Sequence, residues 1–473
     1  MIDYWKDRGN IMRYRKIIET DREFYKRLLT IAVPVILQNV ITVGVNLVDN
    51  IMLGQLTETA LSASTQANQF INLYMFTIMG ISMGASVLSS RYWGAQNIPA
   101  LKKVISIALW SGLCLSTLST LADIFFPEQI MRLYFRGEDQ VPIAEGVQYL
   151  RWSTVTFLLM AFSLILTNIQ RSTGHSHVPL IASVCAFSIN IGANYVFIFG
   201  KLGCPAMGVA GAALGTVVAR TVETAVIVTS FLRNKRLHFR LRDLFEPFWD
   251  MVPEFLRISV PVMLSDCLLG LGDNVLAIVM GRIGSSFISA NSITMAIQRV
   301  STIVITGLAY SGCYLTGQVL GEGRVQAARR QGNTYLLIGA VFGSLAAVII
   351  RLISGAVISF YKITPQTQEI AFELMDALCI VVVFRAVNSI LSKGVLRGGG
   401  DTRVLLAADM TAMWLFAVPL GALAGLVLHL PAFYTYLFLH LDQIIKAFWC
   451  VWRLRSGKWI KHVQGTNEFA ECE

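Results

Sequence analysis

Apolar segments of about twenty residues alternate with short polar segments from residue 28 to residue 453. A helix needs about twenty apolar residues to cross a bilayer, so the pattern predicts an all-α polytopic membrane protein. Twelve transmembrane helices are predicted, at residues 28–53, 67–90, 103–127, 150–171, 178–200, 209–232, 255–281, 292–318, 333–361, 370–396, 403–428 and 431–453. Residues 1–27 mix basic and apolar side chains, which predicts an amphipathic helix on the cytoplasmic membrane surface.

The first apolar segment, residues 33–54, returns 227 positions later. Pro34 and Gly54 correspond to Pro261 and Gly281, and Gly94 corresponds to Gly321. Six helices in each half give both halves the same orientation, so the sequence predicts two six-helix bundles as parallel repeats about a pseudo-twofold axis along the membrane normal. The predicted parts are an N-terminal segment (1–27), a first bundle (28–232), a cytoplasmic linker (233–254), a second bundle (255–455) and a cytoplasmic tail (456–473).

Only 14% of the residues are charged and the mean hydropathy is +0.59, whereas soluble domains carry roughly 25% charged residues. With the N-terminus inside, 28 of the 39 Lys and Arg residues fall on the inner side, 5 on the outer side and 6 within the spans. The positive-inside rule then predicts that both termini are cytoplasmic, in the plasma (inner) membrane. The basic charge lies at the membrane surface, which argues against a nucleic-acid partner.

Motifs for enzymatic chemistry are absent from the sequence. The eight cysteines form no CxxC pair, and no HExxH motif or catalytic-triad order is present. The glycine-rich stretch at 397–402 lacks the lysine of a phosphate-binding loop and is interpreted as a turn between spans. The prediction is a non-enzyme without a cofactor.

Asp49 lies within the first predicted span, where an ionised carboxylate is costly and indicates function. Asn190, Asn194 and Thr216 are predicted to reach a similar depth from two other spans. Their oxygens together with the carboxylate suit a hard cation, so we predict a site that couples transport to Na+ or H+, with Asp49 as its charged group. Interhelical hydrogen bonding is the alternative for each polar residue taken alone.

The second half does not repeat this set, because Leu276 occupies the position that corresponds to Asp49. It carries intramembrane charges of its own, namely Asp266, Asp273, Arg299 and Arg385. These residues are candidates either for a substrate site or for structural ion pairs, and the sequence leaves both interpretations open.

Five motifs carry a resemblance to a known family: NLVDNIMLGQL at 46–56, QRSTGHSHVP at 170–179, NIGANYVFIFG at 190–200, GVAGAALGT at 208–216 and VLRGGGDTR at 395–403. With them the chain resembles the multidrug and toxic compound extrusion (MATE) family over about residues 28–455. The resemblance implies an antiporter that exports bulky organic compounds, cationic ones in particular, by alternating access, with inward Na+ or H+ as the driving ion. We expect the protein to be a monomer. By the same resemblance, Asp49, Asn190, Asn194 and Thr216 match a cation-binding cluster of the first bundle.

The chain departs from the family at two positions that concern the coupling ion. Asn194 stands where several members have a second acid, and the acid on the tenth helix of another branch falls near Arg385 and Ala386. The choice between Na+ and H+ therefore stays open. The alternative function is a flippase for lipid-linked saccharides of a related transporter superfamily.

Overall fold

The computed structural model describes residues 18–55, 58–134 and 140–463. The first half contains α1 (Arg22–Gly54), α2 (Glu58–Gly94), α3 (Ile98–Phe125), α4 (Pro127–Tyr134), α5 (Gln140–Ser172), α6 (His177–Phe199) and α7 (Val209–Leu232). Two short 3₁₀ turns, Leu241–Phe245 and Trp249–Met251, lie in the segment that connects the halves.

The second half begins with α8 (Val252–Ile283), α9 (Ser285–Gly321), α10 (Val325–Phe360) and α11 (Pro365–Ser389), which continues as a π-helix over Ile390–Leu396. The next span joins α12 (Thr402–Met410), a π-helix (Thr411–Ala417), α13 (Val418–Ala422) and a second π-helix (Leu423–Val427). The last span consists of α14 (Ala432–Leu439) and α15 (Leu441–Arg455), which meet at His440.

The twelve predicted spans are confirmed, and no strand occurs among the described residues. Ten of the described helices are long and apolar enough to cross a membrane by themselves. Several helices begin before their apolar segment, as α1 does at Arg22, because helical hydrogen bonding continues into polar residues at the membrane surface. Most of the predicted N-terminal surface helix, residues 1–17, lies outside the described residues.

Helix starts follow local capping chemistry in both halves. The side chain of Asn97 accepts a hydrogen bond from the Ala100 amide at 3.1 Å at the start of α3. Thr364 does the same for α11, which has Pro365 in its first turn. Both features are favoured at helix N-termini because the first amides lack intrahelical partners.

Large apolar side chains cover the outside of the helices. On α10, Leu345, Val348 and Leu352 are 52%, 56% and 78% exposed, and Leu47 and Ile51 are exposed on α1. Such continuous apolar surface would drive aggregation in water, and it fits helices whose outer faces contact lipid.

One compact unit consists of residues 33–89 and 97–263. Within it, α2 and the start of α8 approach closely at two glycines. A side chain at Gly80 would overlap the backbone of Met263, and one at Gly84 would overlap Ser259. Small residues at these positions let the helices pack backbone to backbone, which strengthens van der Waals attraction between helices in a membrane.

The other compact unit consists of residues 1–32, 90–96 and 264–473. Within it, the end of α2 packs on the end of α9 through Gly94 and Gly321. A side chain at Gly94 would overlap the Gln318 carbonyl, and one at Gly321 would overlap the Arg91 carbonyl. These two glycines correspond in the sequence repeat, and each lies against the backbone of the other helix.

The glycine-rich stretch at 397–402 forms a turn between two spans, with Gly400 at a φ of 78°. Residues 456–463 fold against this turn, and Trp459 is fully buried beside Gly399. Asp401 follows the turn and forms a buried ion pair with Arg453, with 2.6 Å between Oδ2 and Nε. This part of the predicted tail is therefore packed structure.

Candidate ion-coupling cluster and charged cavity

Three of the four predicted coupling residues meet in the first bundle. The Asn194 Nδ2 group of α6 donates a hydrogen bond to Asp49 Oδ1 of α1 at 2.6 Å, and a second, longer one to Asn190 Oδ1 at 3.4 Å. Asn190 and Asn194 lie four residues apart on one helix face and are 2% and 0% exposed. The carboxylate is thus held by a buried amide.

The third helix of the cluster, α7, contributes a glycine. A side chain at Gly215 would overlap Asn194 Oδ1, so the missing side chain leaves space for the Asn194 amide. That oxygen is buried and has no hydrogen-bond partner among the described residues. A buried, unpaired carbonyl oxygen is costly, and a cation would be a favourable ligand for it.

Thr216 follows Gly215 on α7, but its hydroxyl donates to the Ala212 carbonyl of its own helix at 3.0 Å. The structure places Thr216 next to the cluster and outside its hydrogen bonds. Tyr149 lies close enough to Asp49 to interact with it electrostatically, and its hydroxyl bonds to Asn68 at 3.4 Å.

A second polar group of the first bundle escaped the sequence analysis. Arg220 lies within electrostatic range of Asp49 and pairs with the buried Glu223 at 2.7 Å. Ser183 links Glu223 to Gln38 through hydrogen bonds of 3.5 and 2.8 Å, and Gln38 accepts one from Arg171. The spacing of Arg220 and Glu223, three residues apart within one span, is a signal for an ion pair that sequence inspection could have used.

Of the four candidate charges of the second half, the structure brings only Asp273 and Arg385 together in one cavity. Asp266 pairs with Arg397, at 3.1 Å between Oδ1 and Nη2, and neither Arg299 nor Arg385 is its partner in the described contacts. Arg299 is exposed and does not line the cavity of the second bundle. For Asp266, the structural interpretation therefore has direct geometric support.

Asp273 and Arg385 line a cavity of about 250 Å³ in the second bundle. Its other charged lining residues are Lys393, Arg397, Asp409, Asp442 and Lys446. Two of the three π-helical segments contribute to the wall, through Ser392 and Lys393 of one and Met413 of another. π-Helical turns shift side chains relative to an α-helix and are frequent at functional sites.

Lys446 on α15 balances two acids of this cavity. Its Nζ lies 3.0 Å from Asp409 Oδ1 and 3.7 Å from Asp442 Oδ2, and Ser265 donates a hydrogen bond to Asp409. All three charged side chains are less than a tenth exposed. The sequence alone did not indicate these pairs, in which the two acids are separated from Lys446 by 37 and 4 positions.

These features define a polytopic helical membrane protein with parallel repeats and charged groups inside its spans, the organisation of a secondary transporter. A family model, MatE, matches residues 34–196 and 261–423, two ranges of equal length that begin 227 positions apart. The chain therefore belongs to the MATE family of transporters.

Similar proteins span nearly the whole chain. A probable multidrug resistance protein NorM of Thermotoga maritima is 26% identical over 458 residues, covering 94% of this chain and 95% of the relative. The multidrug resistance protein MdtK of Yersinia pestis is 23% identical and covers 85% of this chain and 88% of its own length. A crystal structure of MATE in the straight conformation matches with a TM-score of 0.82 at 19% identity, over 92% of this chain and 96% of that one.

Proposed function

We propose that this protein exports bulky organic compounds, cationic ones in particular, in exchange for inward Na+ or H+ by alternating access. The observation that carries the proposal is the Asp49 cluster: a membrane-embedded carboxylate bonded to a buried amide, beside an amide oxygen without a partner. The similarity to NorM and MdtK, which are named as multidrug resistance proteins, supports the export of drugs.

Asp49 is the proposed coupling group because its charge is the one that an incoming cation can neutralise. A proton would bind the carboxylate directly, and Na+ would bind the carboxylate together with the side-chain oxygens of Asn190, Asn194 and Thr216. Either ion removes the cost of a lone negative charge in low-dielectric surroundings. The Arg220–Glu223 pair lies close by and contributes to the field at Asp49.

The direct test is a flux assay with the purified full-length protein in liposomes. The cationic dye tetramethylrhodamine methyl ester should move against its gradient when a Na+ or a pH gradient is imposed in the opposite direction. Imposing each gradient alone, with the membrane potential clamped, identifies the ion. Absence of gradient-driven dye movement, with flipping of a lipid-linked saccharide in the same vesicles, would favour the flippase instead.

We also propose that both termini are cytoplasmic, in a monomer whose central linker (233–254) separates the two bundles. The Lys and Arg asymmetry supports this orientation. Leu202 is 89% exposed between α6 and α7, and Lys235 is exposed in the linker. In a background without the native cysteines, Leu202→Cys should react with an impermeant maleimide on intact cells, and Lys235→Cys only after permeabilisation. The reverse pattern would invert the topology.

A further inference from the structure

The cavity of the second bundle is lined by four cations and three acids, and Asp266, which pairs with Arg397, brings the acids to four. Lys446 is paired with Asp409 and Asp442, and Arg397 is paired with Asp266. After these pairs are assigned, the remaining charged lining residues are Arg385, Lys393 and Asp273.

Arg385 and Lys393 both line the cavity, within electrostatic range of Asp273 and Asp266 respectively. Neither cation has a hydrogen bond or an ion pair in the described part of the chain, and the Arg385 Nε atom is buried and unsatisfied. Lys393 is exposed, whereas Arg385 is half-buried. The buried Arg385 Nε has lost its hydration and has gained no hydrogen bond in return, and Lys393 adds a second positive charge to the same cavity. Together they are suited to a ligand that carries acceptor oxygens.

Asp273 is the only acid of this remaining set, and it is also exposed and without an ion-pair partner in the described part of the chain. The open positions of the cavity are thus two cations and one carboxylate. A ligand with an anionic group and a separate cationic group would match both signs, whereas a simple cation would leave Arg385 and Lys393 unpaired.

We propose that the cavity of the second bundle binds the carboxylate end of zwitterionic organic substrates, with Arg385 and Lys393 on the carboxylate and Asp273 towards the cationic group. This inference rests on the proposed export function and specifies its substrate class. An arginine guanidinium presents paired donors that match a carboxylate, and charge-assisted hydrogen bonds of this kind are roughly twice as strong as neutral ones.

The size of the cavity limits what enters it. Its volume of about 250 Å³ is below the roughly 300–1,000 Å³ of sites that enclose a whole drug-sized ligand. The cavity therefore accommodates the anionic end of a larger molecule, such as a carboxyphenyl group.

The test uses two dyes that differ in one group. Tetramethylrhodamine with a free carboxylate is zwitterionic, and its methyl ester is a cation of almost the same shape. Fluorescence anisotropy measures the binding of each dye to the purified full-length protein without any ion gradient. We expect the free acid to bind at least about tenfold more tightly than the ester, the difference expected for one charge-assisted carboxylate contact.

The double variant Arg385→Gln, Lys393→Gln should weaken the binding of the acid until it no longer exceeds the binding of the ester. Arg351→Gln, which removes an exposed arginine of the same bundle that pairs with Asp376, should change neither. The comparison of the two dyes on the unmodified protein stays informative if the double variant fails to fold.

Equal affinities for the two dyes would overturn the proposal. A preference for the acid that disappears when sodium gluconate is replaced by sodium chloride would also overturn it, because the cavity would then be a small-anion site. Tighter binding of the acid, without gradient-driven transport of either dye, would reject the export function but not the binding site. Gradient-driven transport of the ester, together with equal binding of the two dyes, would reject the binding site but not the export function.

Discussion

The two bundles descend from one repeated sequence and share a helical plan, yet their polar interiors differ in kind. In the first bundle, the Asp49 carboxylate is bonded to an uncharged amide, Asn194. In the second bundle, the corresponding position is Leu276, and the acids Asp266 and Asp409 are paired with Arg397 and Lys446, as Glu223 is paired with Arg220 in the first bundle. The repeat keeps matched small residues such as Gly94 and Gly321, whereas the polar side chains differ.

The difference has an energetic consequence. A carboxylate held by amides changes its net charge whenever a proton or Na+ binds, because no fixed cation is bonded to it. A carboxylate in a buried ion pair is already neutralised, and removal of its partner leaves an isolated charge at high cost. The first bundle therefore carries a carboxylate whose charge a bound cation would neutralise, whereas Asp266 and Asp409 of the second bundle are already neutralised by their partners.

The largest effect is expected when the fixed charges of the second bundle are unbalanced. Lys446→Met leaves Asp409 and Asp442 buried without their cation and should reduce the free energy of unfolding by about 3–5 kcal/mol. Thermal unfolding of the purified protein in detergent measures this loss of stability. Adding Asp409→Asn should recover part of the loss. Unfolding at the temperature of the unmodified protein would show that the ion pairs are dispensable.

Asp49→Asn should have the opposite effect: the protein should still fold, but ion binding should no longer drive transport. The new amide can still bond to Asn194 but cannot bind a proton or balance Na+, so ion-driven transport should fall at least about tenfold, the loss expected when one strong charged contact is removed. Liposome flux and thermal unfolding are measured on the same preparation.

Asn194→Asp should restore or alter the ion dependence of the Asp49→Asn protein, because it returns an acid to the cluster. Normal ion-driven transport by well-folded Asp49→Asn protein would refute the coupling role and direct attention to Asp266 and Asp273.

A smaller effect is expected from a change of shape without a change of charge. Gly215→Ala places a methyl group against Asn194 Oδ1 and should displace the amide that holds Asp49. We expect the concentration of the coupling ion at half-maximal transport to rise about three- to tenfold, which corresponds to the loss of one ordinary hydrogen bond. Gly192→Ala on α6 is the matched control, because no atom lies within 4 Å of the added carbon. An equal rise in both variants would assign the effect to general helix packing.

The smallest effect concerns an ion pair outside the spans of the first unit. Burial raises the pKa of Asp243, but the Lys102 ammonium at 2.8 Å and the Arg240 amide together lower it by more than burial raises it. The net pKa is therefore below the usual range. A depressed pKa contributes stability above the unfolded value of about 4, and the contribution is lost as the pH falls through the folded pKa.

Asp243→Asn should therefore lower the stability at pH 7 by at most about 1 kcal/mol, since the pair is near the surface. The difference from the unmodified protein should shrink as the pH is lowered towards 3, in thermal unfolding series at both pH values. A difference that is independent of pH would assign the effect of the substitution to packing.

The sequence by itself determined the membrane class, the twelve spans and the parallel repeat. These properties depend on apolar segment length and on matched positions such as Gly94 and Gly321, which any folded form of the chain must accommodate. It also indicated Asp49 with Asn190 and Asn194, because a carboxylate in an apolar segment is costly wherever the helix packs.

Only the tertiary structure decided which charges meet. It joined Asp266 to Arg397 across 131 positions, set Lys446 against Asp409, and left Arg385 and Lys393 open to one cavity. It also placed Gly215 against Asn194 and bonded Thr216 to its own helix. Helical periodicity predicts neighbours three or four residues apart on one helix, whereas pairing between helices depends on their rotation and on the π-helical turns, which are set by packing of the whole bundle.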